Sequence, residues 1–540
     1  MPGFELRELA SAPLVTISLK ATLKEAQEVF RRSGLRALVV VDQKGLLAGI
    51  LERIVLEKAL SFGLEEKVEG ITDPEPPFLE ANSLDQDLEQ IKYWGSPCPL
   101  IVVGEGKRPL GVLRPLDLLC MPFKKPAYMH HLEKEPPWRV KTILKEVAEV
   151  ATALGVKVFL VGGGVRDLLW GKEAFFDLDF VVSAKAKDMA EKVARALGGK
   201  VTAHSLFQTF KVTLGQGEIL DIAQSRWEYY EAPARLPKVF PGPLYLDLLR
   251  RDFTINALAL ALNGAYKGQI IDFLGGIRDL KQRRLRVHHP LSFVDDPTRL
   301  FRAARYTIRF GLTPGPCFYK ALALAKRYAC LRLLSPARIQ RELERVLEEV
   351  NPQETLSYLY DLGVFAEICG GPKNKGKVPL ELFFNLVEGL PISPKDILQG
   401  LALIFEDQGP NWVKLFDFPP NRAQALQKEL YRARDEVKKI LHHRRLSKKV
   451  SWLESLSLPV ILVLAVREPM VQGLVRDYLL RLKNIKPTLT GKDLKAMGIR
   501  PGPQIGQILR RLRQARLDGE VSSVEEEKKL IQKEFAHVFS

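Results

Sequence analysis

Cysteine is scarce in this chain, and the few cysteines follow neither a disulfide nor a metal-binding pattern. Five occur in 540 residues, an odd number with no CxxC spacing: Cys98, Cys120, Cys317, Cys330 and Cys369. A disulfide framework and a structural zinc site are therefore not expected. The sequence favours a reducing, cytoplasmic compartment.

Long apolar runs and targeting signals are also absent. No run of about 18 apolar residues offers a membrane span, so we expect no membrane partner. The first ten residues, MPGFELRELA, lack the basic flank and the apolar core of a signal peptide. Apolar residues make up 46% of the chain, which is typical of globular proteins, and its length predicts several domains.

Positive charge, in contrast, is in excess. The chain has 81 Lys and Arg against 64 Asp and Glu, a net charge of +17. This favours a polyanionic partner without identifying it. Two dense basic runs, 432–449 and 510–516, contain few aromatic residues, so stacking on single-stranded bases is not indicated. Contact with the backbone of a folded RNA such as tRNA fits these runs better.

The first 120 residues contain an internal repeat. Segment 38–51, with two short apolar strands joined by a turn, recurs 62 residues later as segment 100–113. A predicted helix precedes each strand pair, at Leu23–Ser33 and at Leu84–Tyr93. The repeat predicts two copies of one small α/β unit.

This repeat resembles a tandem pair of CBS modules over residues 1–121. Such pairs often bind an adenosine nucleotide, and the family's ribose-contacting Asp corresponds to Asp117 in the second unit but to Val55 in the first. Two interpretations stay open: nucleotide sensing, or a packing unit that mediates homodimerisation. The Pro-rich, charged segment 122–137 is interpreted as a linker.

The rest of the chain divides into two structural classes. Strand and helix patterns alternate from Trp138 to about residue 290, which predicts a mixed α/β domain. Helical spacing of apolar residues dominates afterwards, in segments 297–310, 336–349, 353–361, 421–441 and 503–517. The predicted fold class is therefore multidomain, with α/β parts followed by an all-α part.

A glycine turn is the first candidate site. Gly162, Gly163 and Gly164 join the apolar strand 158–161 to a predicted helix at 165–170. Such a turn can present bare amides to a phosphate at a helix start. It is neither a Walker A loop nor a GxGxxG motif, and taken alone it is more often structural.

Carboxylates on the next strands strengthen the case. Asp177 and Asp179 lie two residues apart in a predicted strand, so both point to one face with Cα atoms about 6.5 Å apart. A cation would relieve their repulsion, and substrate phosphates with carboxylates suit Mg²⁺. Asp221, in another apolar strand, is a third candidate. The alternative for the pair is a solvated Asp-Leu-Asp turn.

Five segments together resemble the class II tRNA nucleotidyltransferase and bacterial poly(A) polymerase family: LVGGGVRDLLWGK, DLDF, LLRRDFTINALAL, DDPTRLFRAARYTIRFG and RIQRELERVL. The likeness covers roughly residues 140–350, and the tail TGKDLKAMGIRPGPQIGQILRRLRQARLDGE resembles the C-terminal region of CCA-adding enzymes. The resemblance implies a catalytic head, a base-selecting neck, a helical body and a tRNA-binding tail. Their expected bounds are 138–290, 291–350, 351–483 and 484–540.

The resemblance also implies roles for single residues. Metal binding falls to Asp177 and Asp179, and Asp221 corresponds to a third acidic residue that the family places on a neighbouring strand. Asp252 would accept a hydrogen bond from the ribose 2′-hydroxyl. The expected nucleotide-binding set is Gly162, Gly163, Gly164, Arg166, Arg251, Asp252, Asn256, Asp296, Arg299, Arg302 and Arg305.

Asp296 and Arg299 match the family's pair that reads the incoming base. Cytosine and adenine both present an amino donor beside a ring-nitrogen acceptor, so one carboxylate and one guanidinium suit both, whereas uracil and guanine present the reverse order. Asp296 also suits the N-cap position of a helix whose first residue is Pro297, and the two roles can coexist.

The resulting prediction is template-independent addition of CMP or AMP, from CTP or ATP, to the 3′ end of tRNA. Full CCA addition, addition of the terminal A only, and poly(A) synthesis stay open. Segment 228–247 has the length of the flexible loop of CCA-adding and A-adding enzymes, which disfavours a CC-only activity. An alternative of another class is a non-catalytic, nucleotide-sensing RNA-binding protein.

Overall fold

The computed structural model describes twelve stretches of the chain: residues 14–76, 78–81, 100–113, 129–131, 135–171, 177–204, 209–215, 217–371, 379–390, 392–408, 411–415 and 419–536. They belong to two compact units, Met1–Leu334 and Ser335–Ser540. The division falls within segment 291–350, for which the sequence predicts a single neck domain.

Two small sheets form the N-terminal part of the first unit. Their strands are β1 (Thr16–Ser18), β2 (Ala37–Val41), β3 (Leu47–Glu52), β4 (Phe78–Glu80), β5 (Leu100–Val103) and β6 (Pro109–Leu113). In each sheet the first strand pairs in parallel with the second, and the second pairs antiparallel with the third. Both hairpins shift register at equivalent positions, between Val40 and Val41 and between Val102 and Val103. The predicted internal repeat is thus confirmed, and the two copies share even the register shift of the hairpin.

Helix α1 (Leu23–Ser33) has the predicted bounds. Thr22 accepts a hydrogen bond from the Glu25 amide, and the Thr22 amide donates one to the Glu25 carboxylate, which forms a capping box. Helices α2 (Arg53–Ser61) and α3 (Val68–Ile71) complete the first repeat. The predicted helix Leu84–Tyr93 and the predicted ligand residue Asp117 lie outside the described residues.

An eight-stranded mixed sheet forms the next part. Its strands are β7 (Met129–His131), β8 (Val158–Val161), β9 (Asp177–Val182), β10 (Lys200–His204), β11 (Thr209–Thr213), β12 (Ile219–Gln224), β15 (Leu258–Ala261) and β16 (Gln269–Asp272). They lie in the order β10-β11-β12-β9-β8-β15-β16-β7, with only the pair β9 and β12 parallel.

Strand β7 corrects the interpretation of 122–137 as a linker. Although this segment is rich in proline and charge, its residues 129–131 pair antiparallel with β16 and form one edge of the sheet. Backbone hydrogen bonding to an open sheet edge depends little on side-chain polarity, so composition does not reveal such a strand.

The two faces of this sheet differ in what covers them. Helices α4 (Trp138–Ala153) and α6 (Ala186–Leu197) pack on one face, over a large apolar core that includes Leu178, Phe180 and Leu220. Because side chains alternate along a strand, the residues next to Leu178, Phe180 and Leu220 in their strands point to the opposite face. That face carries only a smaller apolar cluster around Val161 and Val181, which leaves room there for a polar site.

The first unit contains several further elements. They are helix α5 (Gly163–Leu169), the hairpin β13 (Arg226–Tyr229) and β14 (Lys238–Pro241), helices α7 (Leu244–Leu249), α8 (Gly276–Lys281), α9 (Ser292–Asp295), α10 (Arg299–Phe310) and α11 (Pro316–Arg327), and the parallel pair β17 (Arg284–Leu285) and β18 (Thr313–Pro314).

The second unit is helical, as predicted. Its helices are α12 (Pro336–Leu347), α13 (Pro352–Asp361), α14 (Val364–Cys369), α15 (Leu380–Val387), α16 (Pro394–Ile404), α17 (Pro420–Leu441), α18 (Leu446–Glu454), α19 (Leu458–Arg467), α20 (Pro469–Leu480), α21 (Gly491–Ala496), α22 (Pro503–Leu517) and α23 (Val524–Glu534). In the part of the chain that the structure describes, no single helix is long and apolar enough to cross a bilayer. Only α18 and α19 together, bent by 120°, reach that length and composition.

Candidate active site

Three carboxylates lie side by side on the polar face of the sheet. Asp177 and Asp179 are on β9, and Asp221 lies directly opposite Asp179 in the parallel neighbour β12. Residues paired in a parallel ladder share a face, so all three side chains point the same way. The structure therefore places Asp221 beside Asp177 and Asp179, although it is far from them in sequence.

The electrostatic setting of Asp179 favours a cation. Burial raises the pKa of Asp179 to about 6, the carboxylates of Asp177 and Asp221 add to the rise, and the Arg251 guanidinium opposes it. Among the described residues no three His, Cys, Asp or Glu side chains could hold a metal ion by themselves. A divalent cation at Asp177 and Asp179 would take its other ligands from substrate phosphates and water, as Mg²⁺ commonly does.

Gly162 adjoins these carboxylates and tolerates no side chain. Its backbone has φ +68°, a region that favours glycine. A Cβ atom there would lie 2.5 Å from Nη1 of Arg251 and 3.7 Å from Oδ2 of Asp179. The next glycines are also close to neighbours, since a Cβ on Gly164 would lie 3.1 Å from the Leu160 side chain. The glycine turn thus lets a guanidinium group approach the backbone beside the carboxylates.

Arg166, which was predicted to bind nucleotide, has its hydrogen bonds satisfied within the protein. Its side chain is buried, donating from Nη1 to Oδ1 of Asn256 at 2.7 Å and from Nε to Oδ1 of Asp167 at 2.8 Å. The guanidinium carbon lies 4.5 Å from the centre of the Phe310 ring. These contacts connect Arg166 to Asn256, and its nucleotide-binding role stays a prediction.

A chain of polar contacts continues from Asn256. Nδ2 of Asn256 donates to Oδ1 of Asp252 at 2.9 Å, and Oδ2 of Asp252 pairs with Nε of Arg302 at 3.1 Å. Nη2 of Arg302 in turn lies 3.4 Å from Oδ2 of Asp296. Burial alone would raise the pKa of Asp252, but Arg302 and Asn256 bring it below its usual value. The proposed ribose-binding and base-reading carboxylates are thereby connected through one arginine.

The predicted base-reading arginine is held at two points. Arg299 is buried and donates from Nη1 to Oγ of Ser292 at 2.7 Å and from Nη2 to the Arg250 carbonyl at 2.9 Å. Asp296 accepts from the amide of Thr298 at 3.0 Å, and helix α10 begins at Arg299. The capping contact predicted for Asp296 is present, since its backbone is extended and its side chain accepts from the amide of the second residue after it, although the helix begins at Arg299 and not at Pro297.

The other arginines of α10 differ in their surroundings. Arg305 is half-buried one turn beyond Arg302, and Arg309 is exposed with its guanidinium carbon 5.6 Å from the centre of the Phe310 ring. The burial of these arginines therefore decreases along the helix from Arg299 to Arg309.

Two carboxylates that the sequence analysis missed hold the basic pair before Asp252. Asp247 is fully buried and accepts from Nη2 of Arg250 at 2.8 Å and from Nη2 of Arg251 at 3.2 Å. Glu228 accepts from Nη1 of Arg250 at 3.1 Å. The spacing of Asp247, three and four residues before the arginines, is a helical ion-pair signal that could have identified it.

These contacts also involve the segment whose length matches the family's flexible loop. Segment 228–247 contains part of the β13–β14 hairpin and the start of α7, and both of its ends contact Arg250. Ion pairs with Arg250 thus anchor both ends of this segment.

The two basic runs of the helical unit differ as well. Three arginines of run 510–516 are engaged internally: Arg511 with Glu520 and Glu534, Arg513 with Glu454, and Arg516 with Glu527. In run 432–449 most cationic side chains are exposed, namely Arg432, Lys438, Lys439, Arg444, Arg445 and Lys448. The latter run keeps the features expected of a surface for RNA phosphates.

Comparison with known proteins agrees with this geometry. A family model described as the poly A polymerase head domain matches residues 158–286, and the CBS domain model matches residues 6–60. A solved structure, the Thermotoga maritima CCA-adding enzyme complexed with tRNA, is similar with a TM-score of 0.59 and 28% identity, covering 76% of this chain and 99% of that one.

Three curated relatives are similar in sequence. The A-adding tRNA nucleotidyltransferase of Geobacter sulfurreducens is 31% identical over 97% of this chain, and 64% of its own length is covered, so the chain spans less than two thirds of it. The A-adding enzyme of Halalkalibacterium halodurans is 33% identical, with 68% of this chain and 86% of that protein covered. The CC-adding enzyme of Deinococcus radiodurans is also 33% identical, with 68% and 87% covered.

Proposed function

Because this chain belongs to the tRNA nucleotidyltransferase family, we propose that it adds CMP, AMP or both to the 3′ end of tRNA, with CTP and ATP as donors. The observation that carries the proposal is the juxtaposition of Asp177, Asp179 and Asp221 with the Arg251 guanidinium at the glycine turn. The transfer of a nucleotidyl group requires carboxylates and positive charge close together, and both lie here on one face of the sheet.

The reaction joins the terminal 3′ oxygen of the RNA to the α-phosphorus of the nucleotide. The bond between that phosphorus and the β-phosphate breaks, the hydroxyl proton is released, and pyrophosphate leaves. Nucleotidyltransferases of this family use a divalent metal, and we assign Mg²⁺ to Asp177 and Asp179. When bound, the ion neutralises phosphate charge and lowers the pKa of the attacking hydroxyl.

The protein's own residues hold the nucleotide in three places. Arg251, next to Gly162, provides positive charge for the triphosphate. Asp252, kept ionised by Arg302, accepts a hydrogen bond from the ribose 2′-hydroxyl. Asp296 accepts from the amino group of cytosine or adenine, and Arg299 donates to the ring nitrogen.

A narrower activity, addition of the terminal A only, is the second candidate. The specific observation in its favour is the likeness to an A-adding enzyme over 97% of this chain, which includes the N-terminal modules.

The proposal extends to partners. The exposed cations of run 432–449 would contact tRNA phosphates, as would the tail 484–540. The tandem repeats of residues 1–121 would bind an adenosine nucleotide, with Asp117 as the candidate ribose contact, or mediate homodimerisation. A cytoplasmic location is part of the proposal.

The test is extension of tRNA without a template. The purified chain is incubated with Mg²⁺ and tRNA transcripts that lack the last one, two or three nucleotides of the CCA end, with CTP and ATP separately and together. Extension of all three transcripts to full length supports CCA addition, extension only of the transcript lacking A supports the narrower activity, and long A tails indicate poly(A) synthesis. No extension of any transcript would contradict the proposal and favour a non-catalytic RNA-binding protein.

A further inference from the structure

The first N-terminal repeat reaches the residue next to the proposed base-reading carboxylate. Nζ of Lys58, on α2, lies 2.5 Å from Oδ2 of Asp295, and only 20% of the lysine side chain and 2% of the aspartate side chain are exposed. The two residues are 237 positions apart in sequence. An ion pair so deeply buried depends on both partners, because either charge left alone would be costly.

Several other contacts hold the repeat in this place. Lys320, on α11, donates to the carbonyl oxygens of Glu69 and Thr72, both at 2.9 Å. Arg327 pairs with Glu66 at 2.9 Å, and Arg284 pairs with Glu75. These contacts come from the second half of the first unit, so Lys58 approaches Asp295 from a docked module.

Asp295 lies within the element that orients the base-reading pair. It is the last residue of α9, its successor is Asp296, and Ser292 at the start of the same helix accepts the hydrogen bond of Arg299. The ring of Tyr230, 5.7 Å from Nζ of Lys58, and Nε2 of His289, 3.6 Å from Oδ2 of Asp295, complete the surroundings. A displacement of Asp295 would therefore reach both Asp296 and Arg299.

The charges around Asp295 indicate how Lys58 affects Arg299. Oδ1 of Asp295 and Nε of Arg299 are both buried without a hydrogen-bond partner among the described residues. Burial raises the pKa of Asp295, and the charges of Lys58 and then Arg299 oppose that rise. With Lys58 gone, Arg299 would be the main remaining cation for Asp295, and its guanidinium would turn away from the base.

We propose that Lys58 of the N-terminal repeat is a positioning residue for nucleotide selection, which keeps Arg299 directed at the incoming base by neutralising Asp295. The inference rests on the proposed function and deepens it. It gives the first repeat a part in the specificity of the transfer reaction, in addition to any ligand binding or dimerisation.

The experiment compares nucleotide preference in matched variants of the full chain. Lys58→Met removes the charge at similar length, Lys58→Arg keeps it, and Lys44→Met removes an exposed lysine of the same module. For each variant kcat and KM are measured for the preferred nucleotide and for UTP and GTP, with the melting temperature and the Kd for tRNA as controls. The preference ratio is kcat/KM for the preferred nucleotide divided by kcat/KM for UTP or GTP. We expect Lys58→Met to lower this ratio about tenfold or more, mainly through KM. Lys58→Arg and Lys44→Met should retain it.

A double variant separates positioning from mere stability. In Lys58→Met/Asp295→Asn no buried charge attracts Arg299, so the preference ratio should recover toward that of the unaltered chain, and this variant also serves if Lys58→Met alone does not fold. Unchanged preference in Lys58→Met, or an equal loss of activity with every nucleotide without recovery in the double variant, overturns the inference. Absence of transfer by the unaltered chain overturns the proposed function and the inference with it, whereas transfer with unaltered preference in Lys58→Met overturns the inference alone.

Discussion

The arginines of the head and those of the helical unit are the same residue type in opposite surroundings. In the head, Arg250 and Arg251 are held by the buried carboxylate of Asp247. In the helical unit, Arg444 and Arg445 lie exposed at the start of α18. A fixed guanidinium suits recognition of one atom of a ligand, whereas exposed ones provide diffuse charge for a phosphate backbone. Position, and not residue type, separates the two roles.

The arginines of run 510–516 fall between these cases. They lie in the helical unit, yet three of the four are engaged with acidic side chains of the same unit. Part of the positive charge that the sequence offered to RNA is thus used to hold the tail together. The net charge of +17 therefore does not tell how much positive charge a polyanion meets at any one surface.

The largest effect is expected from the carboxylates that the head arginines adjoin. Asp177→Ala should lower the rate of nucleotide transfer at least about 10³-fold, because the cation that stabilises the transferring phosphate loses a ligand. The Kd for tRNA should change little, since tRNA phosphates are contacted elsewhere. Transfer rates and tRNA affinity measured on the same preparation check this, and undiminished transfer would exclude Asp177 from the site.

The next effect tests whether the head arginines depend on their buried partner. Asp247→Asn keeps the side-chain shape but removes the charge shared by Arg250 and Arg251. We expect a loss of about 3–5 kcal/mol in the free energy of unfolding and a higher KM for the nucleotide triphosphate. Denaturant unfolding and steady-state kinetics measure these quantities, with the exposed Asp435→Asn as the control. A variant as stable as its control would contradict the role of Asp247.

A smaller loss of stability is expected in the tail. Arg516 pairs at 2.5 Å with Glu527, whose side chain is fully buried. Arg516→Gln should destabilise the protein by about 1–3 kcal/mol, because a buried carboxylate loses its charged partner. The salt dependence of tRNA binding should stay unchanged, since this arginine is engaged internally. A reduced salt slope without loss of stability would move Arg516 into the RNA-binding group.

The smallest effect on the fold, with the clearest effect on RNA binding, is expected from the exposed arginines. Arg444→Gln/Arg445→Gln should change stability by no more than about 0.5 kcal/mol. The slope of log K for tRNA against log salt should fall by roughly 1.5, since two phosphate contacts are lost. Nucleotide preference should be unaffected. Binding titrations at several salt concentrations provide the measurement, and an unaltered slope would place the RNA elsewhere.

Local periodicity explains why much of this architecture could be predicted. Helix α1 has the predicted bounds, strand β8 likewise, and the helices at 336–347 and 503–517 follow the apolar spacing of the sequence. The alternation of strand β9 placed Asp177 and Asp179 on one face before any tertiary contact was known. These features depend on residues within a few positions of one another.

One prediction failed because it relied on composition. Segment 122–137 was interpreted as a linker and contains an edge strand. A distant part of the chain supplies the order there, because residues 129–131 pair with the backbone of β16.

The sequence by itself determined the internal repeat, the order of strands and helices, the family, and the carboxylate pair of β9. Only the tertiary structure decided that Asp221 lies beside Asp179, that Asp247 holds the arginines near the glycine turn, and that Lys58 reaches Asp295. The physical reason is the distance along the sequence over which each interaction acts. Backbone geometry and side-chain periodicity act between near neighbours in sequence, whereas the pairing of buried charges depends on which distant segments the fold brings within a few ångströms.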